Sequence, residues 1–324
     1  MTAAQRTGLD GAVKPNSVAV RPRVLVLLAA FNGANWIQEQ LRSILRQENV
    51  DVHIIVRDDG SVDHTISAIE ALGVADRVEI RSALAPTGSA SQNFFSLIRD
   101  CSAVDFDFVA FADQDDIWNP DKVQRACSQL RSTSGAGYSS AVTAFWEDAT
   151  ERALIPSSSQ TSADFLFESA GQGCTYVLTA KFYERLRHLV SSNRHLTESV
   201  HFHDWAIYAI ARAWNLRWCF DELSTMKYRQ HGENHFGARN NFVGIIKRLL
   251  LIRSGWYRTQ VKAITDLCVA AAPLHRELGE WKQRLQETDN LARRLAVGRM
   301  CKQAGRRRRT DRIILATACL LGWV

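Results

Sequence analysis

Residues 23 to about 240 predict an α/β domain built on a mainly parallel sheet, followed by a basic, helical C-terminal extension over residues 241–324. Three observations predict it. Short apolar runs alternate with segments of helical spacing, two of those runs end in acidic clusters, and positive charge gathers at the end of the chain. The chain has 324 residues, enough for one large domain and a smaller appendage, because single cores stop growing near roughly 250 to 300 residues. Apolar residues make up 46% and charged residues 23%, a balance that excludes a disordered polyelectrolyte.

Residues 1–22, with Gly8, Gly11, Pro15 and Pro22, carry no periodicity and are expected to form a flexible leader. Val24 to Phe31 is a continuous apolar run stopped by Asn32-Gly33, the pattern of a parallel strand covered on both faces. Ile37, Leu41, Ile44 and Leu45 then fall on one helical face, and Val52 to Val56 gives a second strand. The alternation continues with a helix from about Asp63 to Leu72, a strand at Val78–Ile80, a helix over Gln92–Arg99 and a strand over Phe106–Ala112. Right-handed crossovers join such strands, so the ligand crevice lies at their carboxyl ends.

Two acidic clusters occupy those ends. The second strand runs into Asp58-Asp59-Gly60-Ser61, and the strand at Phe106 runs into Asp113-Gln114-Asp115-Asp116. Five carboxylates at one sheet edge repel one another and lose hydration, a cost that a divalent cation or hydrogen-bond donors offset. In an extended segment Asp113 and Asp115 point to the same side, where both can reach one ion, while Gln114 points away. The structural alternative is that Asp58 and Asp63 shape the start of the next helix and that Asp113 and Asp116 are turn residues.

In combination these elements resemble a known family. The strand ending Ala30-Phe31-Asn32-Gly33, the Asp58-Asp59-Gly60-Ser61 turn with Asp63 behind it, and Asp113-Gln114-Asp115-Asp116-Ile117-Trp118 resemble the inverting family 2 glycosyltransferases of GT-A fold. Gly173-Cys174-Thr175, His203-Asp204-Trp205 and Tyr228-Arg229-Gln230-His231-Gly232-Glu233-Asn234 resemble the later landmarks of its rhamnosyltransferase-like branch, in the same order. The resemblance implies a Rossmann-like GT-A nucleotide-diphospho-sugar transferase fold. It implies metal-dependent, inverting transfer of a sugar, L-rhamnose in that branch, from a donor such as dTDP-L-rhamnose to a glycan or lipid-linked glycan acceptor in cell-surface polysaccharide synthesis.

Carried over residue by residue, the resemblance makes Asp204 the general base that takes the proton of the acceptor hydroxyl. Phe31, Asp58, Asp59, Asp113, Gly173, Arg229 and His231 are expected to bind the nucleotide sugar, Phe31 and Asp59 at its base and Arg229 and His231 near the diphosphate. Asp113, Asp115 and His231 are expected to hold Mg²⁺ or Mn²⁺, with Asp115 as the direct ligand. Two departures stand out. Ala29-Ala30-Phe31 replaces the Pro, Ser or Thr and Tyr of many relatives, which removes hydrogen bonds to the nucleoside. His203 replaces the acid that usually precedes the base, which changes the base's electrostatic neighbour.

Other classes have less support. No GxGxxG follows the first strand, which excludes a dinucleotide dehydrogenase, and no GxxxxGK[ST] supports an NTPase. A metal-dependent phosphohydrolase or nuclease is the alternative use of clustered aspartates, although a phosphatase with an aspartate nucleophile places its DxD on the first strand. A non-catalytic sugar-nucleotide or glycan-binding relative is the other alternative.

Residues 241–324 hold 17 Lys and Arg against 6 Asp and Glu, within a chain of net charge +6, so the front of the chain is acidic. Phe242, Ile245, Ile246, Leu249, Leu250 and Trp256 follow helical spacing, flanked by Lys247, Arg248, Arg253 and Arg258. Later Arg306-Arg307-Arg308-Arg309 precedes Ile313-Ile314-Leu315. Such helices suit an anionic membrane surface or a face of the catalytic domain, and both readings stand at this point. No nucleic-acid-binding motif accompanies the arginines. The seven cysteines are odd in number, scattered and never in a CxxC pair, as in a reducing compartment. With no signal-like apolar run at the start, the expectation is a cytoplasmic protein, peripheral on the inner face of the cytoplasmic membrane.

Overall fold

The apolar run that opens the domain becomes β1 (Arg23–Ala30), buried along all but its first residue because side chains on both of its faces meet helices. The structure, a computed structural model, describes residues 20–231 and 250–324. Next come α1 (Ile37–Leu45), β2 (Asp51–Asp58), α2 (Thr65–Glu70), β3 (Val78–Ser82), α3 (Ala90–Asp100) and β4 (Phe108–Ala112), each within a few residues of its expected place. The second half adds β5 (Ile117–Trp118), α4 (Lys122–Thr133), β6 (Gly137–Phe145), β7 (Glu151–Leu154) and β8 (Val177–Thr179). It continues with α5 (Ala180–Ser192), α6 (Arg194–Thr197), α7 (His203–Ala213) and β9 (Trp218–Arg229). Four further helices are described after β9: α8 (Trp256–Ala271), α9 (Arg276–Gln286), α10 (Leu291–Ala304) and α11 (Arg309–Leu320).

Among the described residues the strands form one nine-stranded sheet in the order β3-β2-β1-β4-β8-β6-β9-β5, with β7 paired to β6. β1, β2, β3 and β4 are mutually parallel, and β6 and β9 run in the same direction. Only the short strands β5, β7 and β8 are reversed. The sheet is therefore mainly parallel, and the ends of β1, β2 and β4 open on one edge.

Alternation along β1 divides the interior in two. Val24, Val26, Leu28 and Ala30 join a cluster with Ile37, Leu41, Ile44, Val123 and Leu130 from α1 and α4. Leu25, Leu27 and Ala29 join the other cluster, which takes in Phe94, Phe95, Tyr183, Leu186 and Ile207 from α3, α5 and α7. The same cluster continues without a break into Val261, Ile264, Leu278, Trp281, Val297, Cys301, Leu315 and Cys319 of the C-terminal helices. Each buried Leu, Ile or Val there contributes roughly 1.5–3 kcal/mol. The apolar side of the tail is thus engaged by the α/β domain.

Two of the four consecutive arginines also point inward. Asp164 is fully buried and receives Arg212 Nη1 at 2.8 Å, Arg307 Nη1 at 3.1 Å and the Tyr208 hydroxyl at 2.7 Å. Arg306 Nη2 lies 3.3 Å from Glu168. These ion pairs fasten the turn before α11 to the α/β domain. Ile313, Ile314, Leu320 and Leu321 remain exposed on α11. No helix among the described residues is long and apolar enough to cross a membrane. The first part of the expected basic helix, Phe242 to Leu249, the Gly232-Glu233-Asn234 landmark and most of the leader lie outside the described residues.

Removing Arg307 leaves the buried Asp164 with one guanidinium in place of two. Arg307→Ala is expected to lower unfolding stability by about 3 kcal/mol and to speed protease cleavage between α10 and α11. Chemical denaturation and limited proteolysis check this, and a wild-type midpoint would show that the ion pairs do not hold the tail.

Candidate active site

Parallel strands deliver three loops to one place: residues 31–34 after β1, 58–63 after β2 and 113–116 after β4. Gln114 ties the first loop to the third. Its Oε1 accepts from the Phe31 N–H at 2.8 Å and its Nε2 donates to the Phe31 carbonyl at 2.9 Å. A side chain at position 33 would push Gln114 off Phe31, since a Cβ there would lie 2.3 Å from Gln114 Oε1. Held this way, Phe31 is 52% exposed and its ring is free to stack on a planar ligand.

The first acidic cluster departs from expectation. Asp58 accepts from the Gly60 and Ser61 N–H groups, at 3.2 and 2.9 Å, and from the Ser61 hydroxyl. Asp59 accepts from the Thr87 and Gly88 N–H groups, from the Thr87 hydroxyl at 2.8 Å and from Arg57 Nη1 at 2.9 Å. Asp63 bonds the Ala34 and Thr65 N–H groups, each at 3.0 Å. The carboxylates of Asp58 and Asp59 are occupied by the protein's own donors, so in this structure they shape the loops at this edge of the sheet.

The second cluster is different, because its charge is not balanced. Burial, then Asp115, then Asp204 push the Asp113 carboxyl well above its usual range. Burial, Asp115 and Asp113 do the same to Asp116. Asp116 Oδ1 accepts from the Arg229 N–H at 3.1 Å, and the Asp116 carboxylate also accepts from the Cys174 thiol. Beneath them lies Cys174, whose thiol is pushed well up by burial and by Asp116 and Asp113, so it stays protonated. Lys122 is fully buried with its ammonium 3.7 Å from the Trp118 ring centre, and burial lowers it to about 8. Its Nζ has no hydrogen-bond partner. Neither Lys122 nor Cys174 was marked as a site residue by its spacing.

The expected metal set is only partly assembled. Asp113, Asp116 and Cys174 place one ligand atom each within 4.8 Å of one another, the one such group among the described residues. His231 instead stacks on Trp36, with ring centres 4.3 Å apart, and its Nε2 is 2.7 Å from Asp115 Oδ2. It therefore orients Asp115 from behind and does not converge with Asp113 on one point. Arg229 donates from Nε to the Asp115 carbonyl at 2.8 Å and pairs with Glu39 at 2.5 Å, which fixes the Asp115-Asp116 segment.

Asp204 stands in the first turn of α7, where the helix dipole favours a carboxylate. Its Oδ1 accepts from the Trp205 N–H at 2.8 Å, and the Ser169 side chain is within hydrogen-bond reach. Burial outweighs these and raises it to about 6. Its charge acts on Asp113, so the two stand close together. His203 stacks on Phe94 at 3.9 Å, and burial lowers it to about 3, leaving a neutral neighbour for the carboxylate. Gly173 makes this packing possible: a Cβ there would lie 2.9 Å from His203 Nε2 and 3.0 Å from Asp204 Cβ. A cavity of about 630 Å³ reaches Asp204 past Ser169, Gly171 and Gln172, whereas Asp59, Asp113 and Asp115 do not line it.

Comparison with known proteins decides the family. Residues 22–205 match the family described as Glycosyltransferase like family 2. The chain belongs to this family. A curated relative, the dTDP-rhamnosyl transferase RfbG of Shigella flexneri, is 34% identical over 82% of this chain and 96% of its own length. Two solved structures share the fold. S. aureus TarS 1–349 in complex with UDP matches with a TM-score of 0.52 at 13% identity, over 93% of this chain and 88% of that one. The mannosyltransferase PcManGT from Pyrobaculum calidifontis, in complex with GDP-Man and Mn²⁺, matches with a TM-score of 0.50 at 16% identity, over 94% and 88%. The expected GT-A architecture is thereby met, and the enzyme is a nucleotide-sugar-dependent glycosyltransferase. The phosphohydrolase and binding-module readings are set aside.

In this transferase a methyl group at position 173 must displace His203 or Asp204. Gly173→Ala is expected to lower turnover at least about tenfold while the thermal midpoint moves by only a few degrees. Steady-state kinetics beside a thermal scan check this, and undiminished turnover would show that the 173–204 contact does not position the carboxylate.

Proposed function

We propose that this glycosyltransferase moves an L-rhamnosyl group from dTDP-L-rhamnose to a hydroxyl of a glycan or lipid-linked glycan. Transfer proceeds with inversion and with Mg²⁺ or Mn²⁺ as cofactor, in the cytoplasm at the inner face of the cytoplasmic membrane. One observation carries the reading: Asp204, a carboxylate raised to about 6, stands between an uncompensated acidic cluster and a cavity large enough for an acceptor. The similarity to a dTDP-rhamnosyl transferase over nearly all of that relative's length supports the donor.

An acceptor hydroxyl is a poor nucleophile until its proton is taken in the transition state. Asp204 takes it. A carboxylate raised toward 6 is a stronger base than an ordinary one and is still ionised at neutral pH. The Trp205 N–H fixes its direction, and the neutral His203 adds no opposing charge. Phe31 offers its exposed ring to the donor base, and Gly173 leaves room for His203 and Asp204 to pack beside it.

The acidic edge fits a hard divalent cation. Burial, and after it the neighbouring carboxylates, raise Asp113 and Asp116, and the buried Lys122 ammonium is itself weakened by burial. A protonated thiol is a poor ligand for such an ion, so Cys174 is support and Asp115 with Asp113 are the ligands, His231 orienting Asp115. Bound there, Mg²⁺ or Mn²⁺ would supply positive charge for the departing diphosphate. Arg229 contributes by holding the Asp115-Asp116 segment in place.

A panel of dTDP-, UDP- and GDP-sugars assayed with a glycan acceptor tests the reading. The dTDP-L-rhamnose reaction is expected to dominate, to fall by roughly 10²- to 10⁴-fold in Asp204→Asn, and to drop about tenfold per pH unit below about 6 as Asp204 protonates. Exclusive use of another donor would end the rhamnosyl assignment, and a pH-independent rate would remove Asp204 as base. Separately, Asp115→Ala is expected to abolish the Mn²⁺-dependent part of dTDP binding in calorimetry, and unchanged Mn²⁺ enhancement would place the ion elsewhere.

A further inference from the structure

We propose that Cys301 and Cys319 are a modification site, a buried dithiol that a peroxide converts to a disulfide joining α10 to α11. The site lies in the tail, away from the transfer chemistry, and it stands or falls independently of the role given to Asp204.

The last two helices run side by side in opposite directions, with Gly322 against Arg294, Gly298 against Ala316 and Leu320, and Gly305 against Leu315. Their approach is close at Gly298, where a Cβ would already lie 3.4 Å from the Ala316 carbonyl oxygen. Cys301 follows Gly298 by three positions and so lies on the same face of α10. Its Sγ is 3.6 Å from that of Cys319, both side chains are fully buried, and the two share a hydrogen bond. The sulfurs are in contact. Bringing them to a bond length of about 2.05 Å takes a shift of roughly 1.5 Å, shared between two side chains that can each rotate.

Charge around the pair distinguishes the two thiols. Arg293 is buried and donates to the Arg284 carbonyl at 3.1 Å and to the Val324 carbonyl at 3.3 Å. Arg258 reaches the Gly322 carbonyl, and its buried Nε has no hydrogen-bond partner. The contact with Cys301 lowers the Cys319 thiol against the opposing effect of burial, and the Arg293 and Arg258 charges lower it further. Burial and the contact with Cys319 push Cys301 well up. Cys319 is therefore the attacking thiolate and Cys301 the partner that keeps its proton until the second step.

In the first step the Cys319 thiolate attacks one oxygen of hydrogen peroxide, the O–O bond breaks, and the hydroxide that leaves recovers the thiol's proton as water. Cys319 is then a sulfenic acid. The Cys301 sulfur attacks the sulfenic sulfur, an S–S bond forms as the S–O bond breaks, and the departing hydroxide takes the Cys301 proton as a second water. Each sulfur loses one electron and the peroxide gains two. A reducing compartment keeps the dithiol as the resting form. Once formed, the bond spans 18 positions that include the arginine turn, so it holds α11 on α10 alongside the ion pairs of Arg306 and Arg307.

Treatment of the folded full chain with excess hydrogen peroxide, followed by alkylation in denaturant and peptide mapping, tests this. The count of free thiols is expected to fall from seven to five, with a link between the tryptic peptides Met300–Lys302 and Ile313–Val324 that dithiothreitol reverses. Wild type alone decides this point: seven thiols recovered, or links among other cysteines in equal yield, would overturn the proposal. In Cys301→Ser, which has no partner to close the bond, dimedone is expected to label Cys319 at least about tenfold faster than Cys268, a thiol that burial alone pushes up. Equal labelling of the two would overturn Cys319 as the attacking thiol. Oxidised Arg307→Ala is expected to regain at least about half of the denaturation midpoint that its reduced form loses, and a midpoint indifferent to oxidation would show that the bond does not hold the helices together.

Discussion

Negative charge gathered at the carboxyl end of β4, with too little positive charge inside the protein to balance it, is the constraint that arranges the rest of the site. Asp113, Asp115 and Asp116 emerge together because β4 stops where the parallel strands β1 and β2 stop. Taking such ions out of water costs several kcal/mol each when they are unpaired. The surroundings reduce that cost without removing it. Cys174 lies under the carboxyls as a protonated thiol, Lys122 is buried nearby, His231 backs Asp115, and the Arg229 N–H meets Asp116. What is left over is a site short of one strong cation, next to where a leaving diphosphate would need one.

Burial acts on the two neighbours at the start of α7 in opposite directions along the pH scale, and for one reason. It disfavours charge on either, so His203 falls to about 3 and Asp204 rises to about 6. The histidine is locked neutral across the physiological range, while the carboxylate stays ionised at neutral pH with its basicity increased. The replacement of an acid by histidine at 203 thus spares Asp204 a like charge beside it. Gly173 is the steric condition for having both side chains there.

Much of the first half of the fold was legible because its strands are fully covered and read as uninterrupted apolar runs, as in Val24–Phe31 and Phe106–Ala112. The reversed strand β8 was not, since Val177–Thr179 is too short to show a period. In the site, the strand-end position of both acidic clusters could be read directly, yet the fate of each carboxylate could not. Asp59 is occupied by Thr87 and Gly88, which sit in a loop with no pattern of its own, and Asp58 by its own turn. Arg307 finds Asp164 across 143 positions, a pairing that no local periodicity encodes. A run of four arginines looks uniform in sequence, and only tertiary contact separates the inward pair from Arg308.

The uninterrupted cluster running from α7 into α8, α9, α10 and α11 means that the helix carrying Asp204, the proposed base, and the C-terminal helices beside the cavity are one packing unit. On the proposed reading, acceptor choice in this architecture is not modular. A tail grafted from a relative would have to rebuild the interior behind Asp204, whereas exposed positions on the cavity wall such as Arg152 and Arg308 can be exchanged without touching that interior. Diversification of what is glycosylated is channelled toward the cavity's outer residues, and the scaffold behind them is free to remain as it is.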